Sequence, residues 1–383
     1  MDWMVPLRRL DEAQQNVLRA CANMLEKPIW IEGFAGSGKT VLLVHAIQNY
    51  LIKNPDNKVC IVVFTHALIN LIESGIAPEF RQKIPVMTYL EAVNRDRNKY
   101  DLIVIDEVQD IPPSILNALR NKTERLVIGG DDAQSIYESG STAVQIESLL
   151  EPERLKLPMV YRLTRKIINV VKSILPNNVL VTATSGRMED IQVTLAYAEN
   201  QEAEFSWIWK QAQRFTETGH PSVIVFPSHE TTHQFLRFVA TKESLPQPEF
   251  VLNRYKKTDY GQINEHFKKH SSDVVIQYLG NGYGDLEDSG SMPVVYTMTY
   301  HSVKGLDFRT VFLPILNQET VFWRDPDIDR RLFFVGATRS RRDLFMSYHS
   351  SEPHRYVQEM PQDELHKIDI NQSNDDEQDD FIF

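Results

Sequence analysis

The chain has 383 residues, of which 42% are hydrophobic and 24% charged, a composition typical of a folded protein with room for two domains of ~100 to 200 residues. No apolar run approaches the ~20 residues of a membrane span, and the amino terminus lacks a secretory signal. Two cysteines, Cys21 and Cys60, exclude a disulfide framework or a cysteine zinc site. We therefore expect a cytoplasmic protein with no membrane partner.

The net charge is −11, and much of it lies in residues 361–383, which contain eight acidic residues and one lysine. The rest of the chain is only mildly acidic. This excludes a histone-like polycation but leaves room for a local basic groove that binds nucleic acid. The tail itself is interpreted as a solubilising end, or as a segment that docks through its apolar Phe381-Ile382-Phe383 terminus.

Short apolar runs alternate with helical stretches through the first part of the chain. The runs cover residues 28–31, 59–64, 102–105 and 126–128, and helices are predicted at 11–25 and 40–52. Continuous apolar runs separated by helices predict a parallel sheet that is covered on both faces.

A second series of the same kind follows a helix at 164–175 and a linker at Pro176. The predicted strands are 191–197, 223–226, 294–298, 310–313 and 344–348, and the predicted helices are 202–215, 231–240 and 330–338. The sequence therefore predicts the α/β class, with two domains of mainly parallel sheets at 1–160 and 161–360 and an acidic C-terminal tail at 361–383.

Residues 33–40 read GFAGSGKT and satisfy the pattern G-x-x-x-x-G-K-[ST] between a predicted strand and a predicted helix. Glycines let the backbone wrap phosphates closely, with amide hydrogens pointing inward at a helix amino terminus. In this pattern Lys39 reaches the β and γ phosphates, and Thr40 binds Mg²⁺ through its hydroxyl. The expected nucleotide-binding residues are Gly33, Ala35, Gly36, Ser37, Gly38, Lys39 and Thr40.

A second chemical signal is the acidic pair Asp106-Glu107 at the end of the predicted strand 102–105. Adjacent carboxylates beside a phosphate loop can divide their roles, so that Asp106 joins Thr40 as a Mg²⁺ ligand and Glu107 deprotonates the attacking water. Together the two motifs predict hydrolysis of a nucleoside triphosphate.

The order of motifs resembles that of superfamily 1 helicases of the UvrD/Rep type. The resemblance rests on Leu10-Asp11 with Gln14, on 64–67 (FTHA), 106–110 (DEVQD), 130–137 (GDDAQSIY), 161–162 (YR), 301–308 (HSVKGLDF) and 331–339 (RLFFVGATR). It implies two RecA-like domains that hydrolyse ATP at their interface, using Mg²⁺, and that move along single-stranded nucleic acid, with DNA favoured over RNA and a 3′ to 5′ direction.

The resemblance also implies roles for individual residues. Gln14 and Tyr161 would contact the adenine, Gln134 would sense the γ-phosphate, Arg162 and Arg339 would be arginine fingers, and Gly305 and Asp307 would lie near the ribose. The expected strand contacts are Thr65, His66, Tyr89, Tyr300 and His301.

The chain also departs from the family pattern. Tyr137 is followed by Glu138-Ser139-Gly140, where the family has an aromatic residue and an arginine that contact a base. Only 18 residues separate Thr88 from Asp106, which leaves no room for the accessory domain that the family inserts there. We expect a minimal motor with little duplex unwinding of its own, acting with protein partners that supply the missing functions.

Two other interpretations remain open. One is a nucleotide-gated switch whose state is read by a partner protein. The other is a zinc hydrolase, because His229-Glu230-Thr231-Thr232-His233 satisfies H-E-x-x-H, in which two histidines share one helix face and the glutamate serves as base.

Overall fold

A computed structural model describes residues 3–23, 27–34, 36–65, 67–131, 134–175, 184–185, 191–253 and 255–372. The chain divides into two compact units, with the main boundary between Arg162 and Leu163, and Thr184 and Ser185 also belong to the first unit. This boundary lies two residues beyond the predicted one, and it places Tyr161 and Arg162 in the first unit. In the described part of the chain, every helix is too short or too polar to cross a bilayer.

The first unit is built on a six-stranded sheet in the order β3-β2-β4-β5-β1-β6. All of its pairings are parallel. Its strands are β1 (Ile29–Gly33), β2 (Val59–Val63), β3 (Val86–Thr88), β4 (Tyr100–Ile105), β5 (Thr123–Gly130) and β6 (Glu153–Leu157), and a separate parallel pair joins β7 (Met159–Val160) to β8 (Thr184–Ser185).

Helices cover the sheet of the first unit. They are α1 (Glu12–Ala22), α2 (Lys39–Lys53), α3 (Ala67–Gly75), α4 (Tyr89–Asn94), α5 (Pro113–Arg120) and α6 (Ala143–Leu150). Three of them begin at a capping box, in which the N-cap side chain and the third helical residue satisfy each other's backbone amides. These pairs are Asp11 with Gln14, Thr88 with Glu91 and Thr142 with Gln145.

The second unit holds a seven-stranded sheet in the order β11-β12-β10-β13-β14-β9-β15, again with parallel pairings. Its strands are β9 (Val193–Tyr197), β10 (Ser222–Phe226), β11 (Val275–Tyr278), β12 (Val294–Thr299), β13 (Phe308–Leu313), β14 (Ser340–Tyr348) and β15 (Leu365–Asp369). Its helices are α7 (Arg165–Val171), α8 (Gln201–Arg214), α9 (His229–Lys242), α10 (Tyr260–His270), α11 (Pro326–Ala337) and α12 (Arg355–Gln358). Two parallel α/β sheets, one in each unit, confirm the predicted fold class of two RecA-like domains.

The prediction of a tail from residue 361 needs correction. Residues 365–369 form β15, which pairs with β9 and completes the second sheet. Ile370 N donates to Tyr197 O at 2.9 Å, and the side chains of Ile368 and Ile370 pack against the core of the unit. The acidic composition hid an edge strand with isoleucines at alternating positions, while residues 373–383 lie outside the described chain.

A truncation pair tests the role of β15. Ending the chain at Pro361 removes β15 and the two isoleucines, so we expect the second unit to lose about 2–4 kcal/mol of stability and to melt roughly 5–10 °C lower. Ending it at Gln372 retains β15 and should leave the melting temperature within about 1 °C of the full chain. Differential scanning calorimetry measures both, and equal melting of the two truncations would contradict the structural role of β15.

Candidate functional site

The phosphate loop lies between β1 and α2, as the pattern predicted. Gly36 and Gly38 adopt φ values of +83° and +90°, a region that disfavours side chains. Space also excludes a side chain at Gly36, because a Cβ there would lie 2.3 Å from Cβ of Arg162. Both glycines are therefore dictated by the loop's own geometry. Ala35 lies outside the described residues.

The loop presents polar groups that are poised for an anion. Lys39 is buried at the start of α2, and its Nζ donates to Gly33 O at 2.6 Å and to Phe34 O at 3.2 Å. Ser37 Oγ is buried without a hydrogen-bond partner among the described residues. A lysine held by carbonyl oxygens and an unsatisfied hydroxyl fit a site where phosphate oxygens complete the hydrogen bonding.

The acidic pair lies directly beside this loop. Thr40 Oγ1 donates to Asp106 Oδ2 at 2.7 Å, so the two predicted Mg²⁺ ligands are already in contact. Glu107 N donates to Asp106 Oδ1 at 2.9 Å. Burial, together with the Glu107 carboxylate, raises the pKa of Asp106. Two buried acids next to a hydroxyl form an oxygen donor set that suits a divalent cation.

A buried hydrogen-bonded chain leads away from Glu107. Gln109 Nε2 donates to Glu107 Oε2, and Gln109 Oε1 accepts from Asp131 N at 3.1 Å. Gln134 Nε2 then donates to Asp131 Oδ2 at 2.8 Å. The chain connects the end of β4 to the end of β5, and it gives Gln109, which the sequence had not singled out, a bridging role. Asp132 and Ala133 lie outside the described residues.

Gln14 and Tyr161 meet at the mouth of the loop. Gln14 Nε2 donates to Ser37 O at 3.0 Å, while its Oε1 accepts from Asp11 N. Tyr161 donates its hydroxyl hydrogen to Asp11 Oδ2, and Tyr161 N donates to Gly36 O at 2.9 Å. Asp11 thus holds both predicted adenine contacts. In the sequence, Asp11 and Gln14 have the D-x-x-Q spacing that is typical of a capping box.

Arg162 follows Tyr161 and belongs to the first unit, because the backbone here is bonded to the phosphate loop. The predicted bounds placed Arg162 in the second domain, 161–360, whereas the structure places it in the first unit. Its side chain reaches the loop from within the same unit, at Gly36.

An aromatic cluster marks the same edge of the first sheet, beyond β2, β3 and β5. The Phe64 ring stacks on Tyr89 at 5.1 Å between centroids and contacts Tyr137 at 4.3 Å. All three side chains are partly exposed. Thr65, which follows Phe64, has a buried Oγ1 with no hydrogen-bond partner in the described chain. His66 lies outside the described residues, so the structure supports Tyr89 as part of a surface and adds Phe64 and Tyr137 to it.

In the second unit, Tyr300 is not at the surface. It is 1% exposed, its ring lies against Gly336, where a Cβ would come within 2.4 Å, and it contacts Phe322 at 4.6 Å. The prediction that Tyr300 contacts a strand is therefore wrong, because the ring fills the core beneath α11. His301 is half-buried beside Trp323, with ring centroids 4.7 Å apart, and burial with the nearby Lys304 lowers its pKa to about 4.

The remaining predicted nucleotide contacts of the second unit lie around the start of β13 and the end of α11. Gly305 has φ +85°, and Asp307 Oδ2 pairs with Arg341 Nε at 3.0 Å. Arg339 is 1% exposed, and its guanidinium donates to Val335 O at 2.9 Å and to Leu306 O at 3.4 Å. Its head group is thus held by backbone carbonyls within its own unit.

Comparisons with known proteins assign both units. Residues 17–140 match the AAA domain, and residues 258–351 match the UvrD-like helicase C-terminal domain. Over 87 residues the chain is 33% identical to the ATP-dependent DNA helicase Rep of Buchnera aphidicola subsp. Schizaphis graminum, which covers 18% of this chain and 13% of that protein. Over 145 residues it is 31% identical to the ATP-dependent DNA helicase PcrA of Staphylococcus epidermidis, which covers 34% and 19%.

These matches support the predicted resemblance to superfamily 1 helicases of the UvrD/Rep type. The chain's matches span less than a fifth of these two relatives' length, 13% and 19%. Among solved structures, the arterivirus nonstructural protein 10 (helicase) in complex with DNA is 15% identical, with a TM-score of 0.44, over 90% of this chain and 64% of that chain. That similarity is too low to add to the family assignment.

The H-E-x-x-H string of this UvrD/Rep-type chain has a structural explanation. His229 Nδ1 and His233 Nε2 both hydrogen bond to the Tyr260 hydroxyl, at 2.7 and 3.0 Å. Burial lowers the pKa of both histidines, so one neutral ring can donate to the hydroxyl while the other accepts from it. Among the described residues, no group of three His, Cys, Asp or Glu side chains could hold a metal ion. The zinc hypothesis therefore lacks a third ligand in this part of the chain.

Gln109 provides a test of the hydrogen-bonded chain. Gln109→Ala leaves the buried Glu107 carboxylate and Asp131 N without their partner, so we expect the free energy of unfolding of the first unit to fall by about 1–3 kcal/mol. The exposed Gln82 in the same unit offers a matched control, and Gln82→Ala should change it by less than about 0.5 kcal/mol. Urea unfolding of both variants measures the difference, and equal midpoints would remove Gln109 from this role.

Proposed function

We propose that this protein is an ATP-hydrolysing, DNA helicase-like motor that acts on single-stranded nucleic acid. The carrying observation is the continuous path from Thr40 through Asp106, Glu107 and Gln109 to Asp131 and Gln134. Three residues after Gln134, the Tyr137 ring contacts the aromatic cluster with Phe64. The path joins a phosphate-binding loop to a surface suited to bases, which is what coupling of hydrolysis to strand binding requires.

The nucleotide end of the path accounts for substrate binding. The amides of the loop and Lys39 would hold the phosphates of ATP, with Gln14 and Tyr161 at the adenine side. Thr40 and Asp106 are the residues that would bind Mg²⁺. When bound, this ion neutralises charge that develops on the phosphate oxygens.

Glu107 is the proposed general base. Its backbone is held at φ +53° and its carboxylate is fixed by Gln109, so the oxygen that takes the proton from the attacking water has a defined direction. Arg162, next to Gly36, would stabilise the charge of the transition state from within the first unit. Arg339 would supply the second cation, and to do so it must exchange its bonds to Val335 O and Leu306 O.

The strand end of the path is the cluster of Phe64, Tyr89 and Tyr137. Partly exposed aromatic rings stack on unpaired bases without regard to sequence, and the cluster lies beyond the carboxyl ends of parallel strands, where ligands of open α/β sheets bind. Thr65 and His301 remain proposed contacts. DNA as the strand and 3′ to 5′ movement are proposed from the family assignment.

We also propose that protein partners supply strand separation. In the fully described stretch from Thr88 to Asp106, the connection between β3 and β4 contains a single short helix, α4. The first unit therefore has no accessory domain at this point that could engage a duplex. A nucleotide-gated switch remains the alternative function, favoured by the same observation.

Two substitutions separate nucleotide binding from hydrolysis. Lys39→Ala removes the cation on the phosphates, and we expect at least about a ten-fold loss of ATP affinity. Glu107→Gln keeps the shape of the base but cannot take a proton, so ATP should bind with near-normal affinity while kcat falls by about 10²-fold or more. Isothermal titration and steady-state ATPase assays measure both effects. Normal turnover by Glu107→Gln would contradict the proposed base.

ATPase assays with different polymers test whether single strands stimulate hydrolysis. ATPase activity is measured with single-stranded DNA, single-stranded RNA, duplex DNA and no polymer. We expect single-stranded DNA to stimulate hydrolysis at least several-fold and Tyr89→Ala to reduce that stimulation, because the stacking surface is diminished. Lack of stimulation by every polymer favours the switch, and robust strand separation by this chain alone would contradict the proposed need for partners.

A further inference from the structure

Trp323 stands apart from the other tryptophans of the chain. It is 40% exposed, whereas Trp30, Trp207 and Trp209 are at most 6% exposed. The fifth, Trp3, is partly buried and donates its indole N–H to Leu71 O at 2.9 Å. The exposed part of an indole forgoes some of the gain that burial of this large side chain gives.

Hydrogen bonds to the buried Asp329 fix the backbone of the loop that carries Trp323. Asp329 on α11 is 1% exposed, and its Oδ1 accepts from Phe322 N at 2.7 Å and from Trp323 N at 2.8 Å. Its Oδ2 accepts from the Tyr356 hydroxyl at 2.7 Å. A buried carboxylate that accepts this many hydrogen bonds fixes the loop backbone, so the ring of Trp323 is presented from a defined position.

The buried ring of the neighbouring Phe322 keeps the loop from turning its exposed side chains into the core. Phe322 is buried and its ring packs on Tyr300 at 4.6 Å and on Phe333 at 5.6 Å. With this aromatic ring anchored inward, Trp323 next to it lies on the exposed side of the loop. Val321, on the other side of Phe322, is likewise 66% exposed.

The position of Trp323 is at the carboxyl edge of the second sheet. Its loop follows β13, and its ring lies beside His301, which follows β12. Lys304 is close enough to His301 to lower the pKa of the imidazole, and the adjacent Arg324 is exposed. The carboxylate of Asp325 is turned into the helix, where it accepts from Asp327 N and Ile328 N at 3.0 Å. Lys304 is only 5% exposed, so Arg324 is the exposed cation beside the ring. An aromatic face beside an exposed cation matches a polyanion with flat bases.

We propose that Trp323 stacks on a base of the bound single strand and is the principal aromatic contact of the second unit. The inference rests on the proposed single-strand function and deepens it. It also adds a second aromatic contact to a chain that has Glu138-Ser139-Gly140 after Tyr137, beside the cluster of Phe64, Tyr89 and Tyr137 proposed on the first unit. A hydrophobic protein partner is the alternative occupant that the experiment excludes.

Intrinsic fluorescence reports directly on Trp323, because it is the most exposed of the five tryptophans. We expect titration with unlabelled oligo-dT to quench the tryptophan emission of the full chain, and Trp323→Phe to abolish most of that quenching. If Trp323→Phe keeps the full quenching amplitude, the strand contacts another tryptophan and the inference fails.

Affinity for a fluorescein-labelled oligo-dT, measured by anisotropy, separates stacking from loss of apolar surface. Trp323→Ala should bind roughly 5- to 10-fold more weakly, the lower end of the effect of removing one stacking residue. Trp323→Phe retains an aromatic face and should bind within about three-fold of the parent chain. Val321→Ala removes an exposed apolar side chain from the same loop and should bind within about two-fold.

The outcomes distinguish this inference from the function on which it rests. Equal affinity of Trp323→Ala and the parent chain, or an equal loss in Val321→Ala, overturns the role of Trp323 and leaves strand binding intact. Failure of the parent chain to bind any oligonucleotide overturns the proposed function itself. Circular dichroism melts check that each of the three variants is folded. If Trp323→Ala is folded and Trp323→Phe recovers the affinity, the loss of affinity in Trp323→Ala cannot come from unfolding.

Discussion

Burial of two adjacent carboxylates, Asp106 and Glu107, is the constraint around which the first unit is organised. Each carboxylate has to be surrounded by hydrogen-bond donors, since an unpaired buried charge is costly. Thr40 and the Glu107 amide serve Asp106, and Gln109 serves Glu107. The same demand explains Gly130 at the end of β5, where a Cβ would lie 2.5 Å from Gln109 Oε1. The glycine makes room for the Gln109 side chain that holds Glu107.

The sequence predicted the central strands well and the edge strands poorly. Strands buried on both faces, such as β2, β4 and β10, read as continuous apolar runs, and their positions agree with the structure to within a few residues. β6 has the sequence ERLKL and lies at the edge of its sheet, and β15, LHKID, lies at the edge of the other. An edge strand pairs on one side and is half solvated, so its composition resembles that of a loop.

For the candidate site, the sequence identified features that depend on contiguous residues but not those that depend on partners far along the chain. The phosphate loop and the acidic pair are defined by contiguous residues, so their spacing was sufficient. The bridging role of Gln109 and the anchoring role of Asp11 depend on partners far along the chain, which no local pattern identifies. The prediction that Tyr300 contacts the strand failed for a related reason. Its aromatic ring suggested stacking, but only the packing against Gly336, a residue of another motif, shows that the ring belongs to the core.

The helix α11 gives the second unit a connection comparable to the hydrogen-bonded chain of the first. Asp329, in its amino-terminal half, holds the loop that presents Trp323, and Arg339 follows immediately after its carboxyl end. The eight helical steps from Asp329 to Ala337 span roughly 12 Å, and Arg339 follows the C-cap Thr338. The helix is buried along Leu332 to Ala337, so its ends are held in a fixed relation by the core of the unit. In the proposed roles of Arg339 at the nucleotide and Trp323 at the strand, a shift of one end of α11 would therefore reach the other end through the same helix.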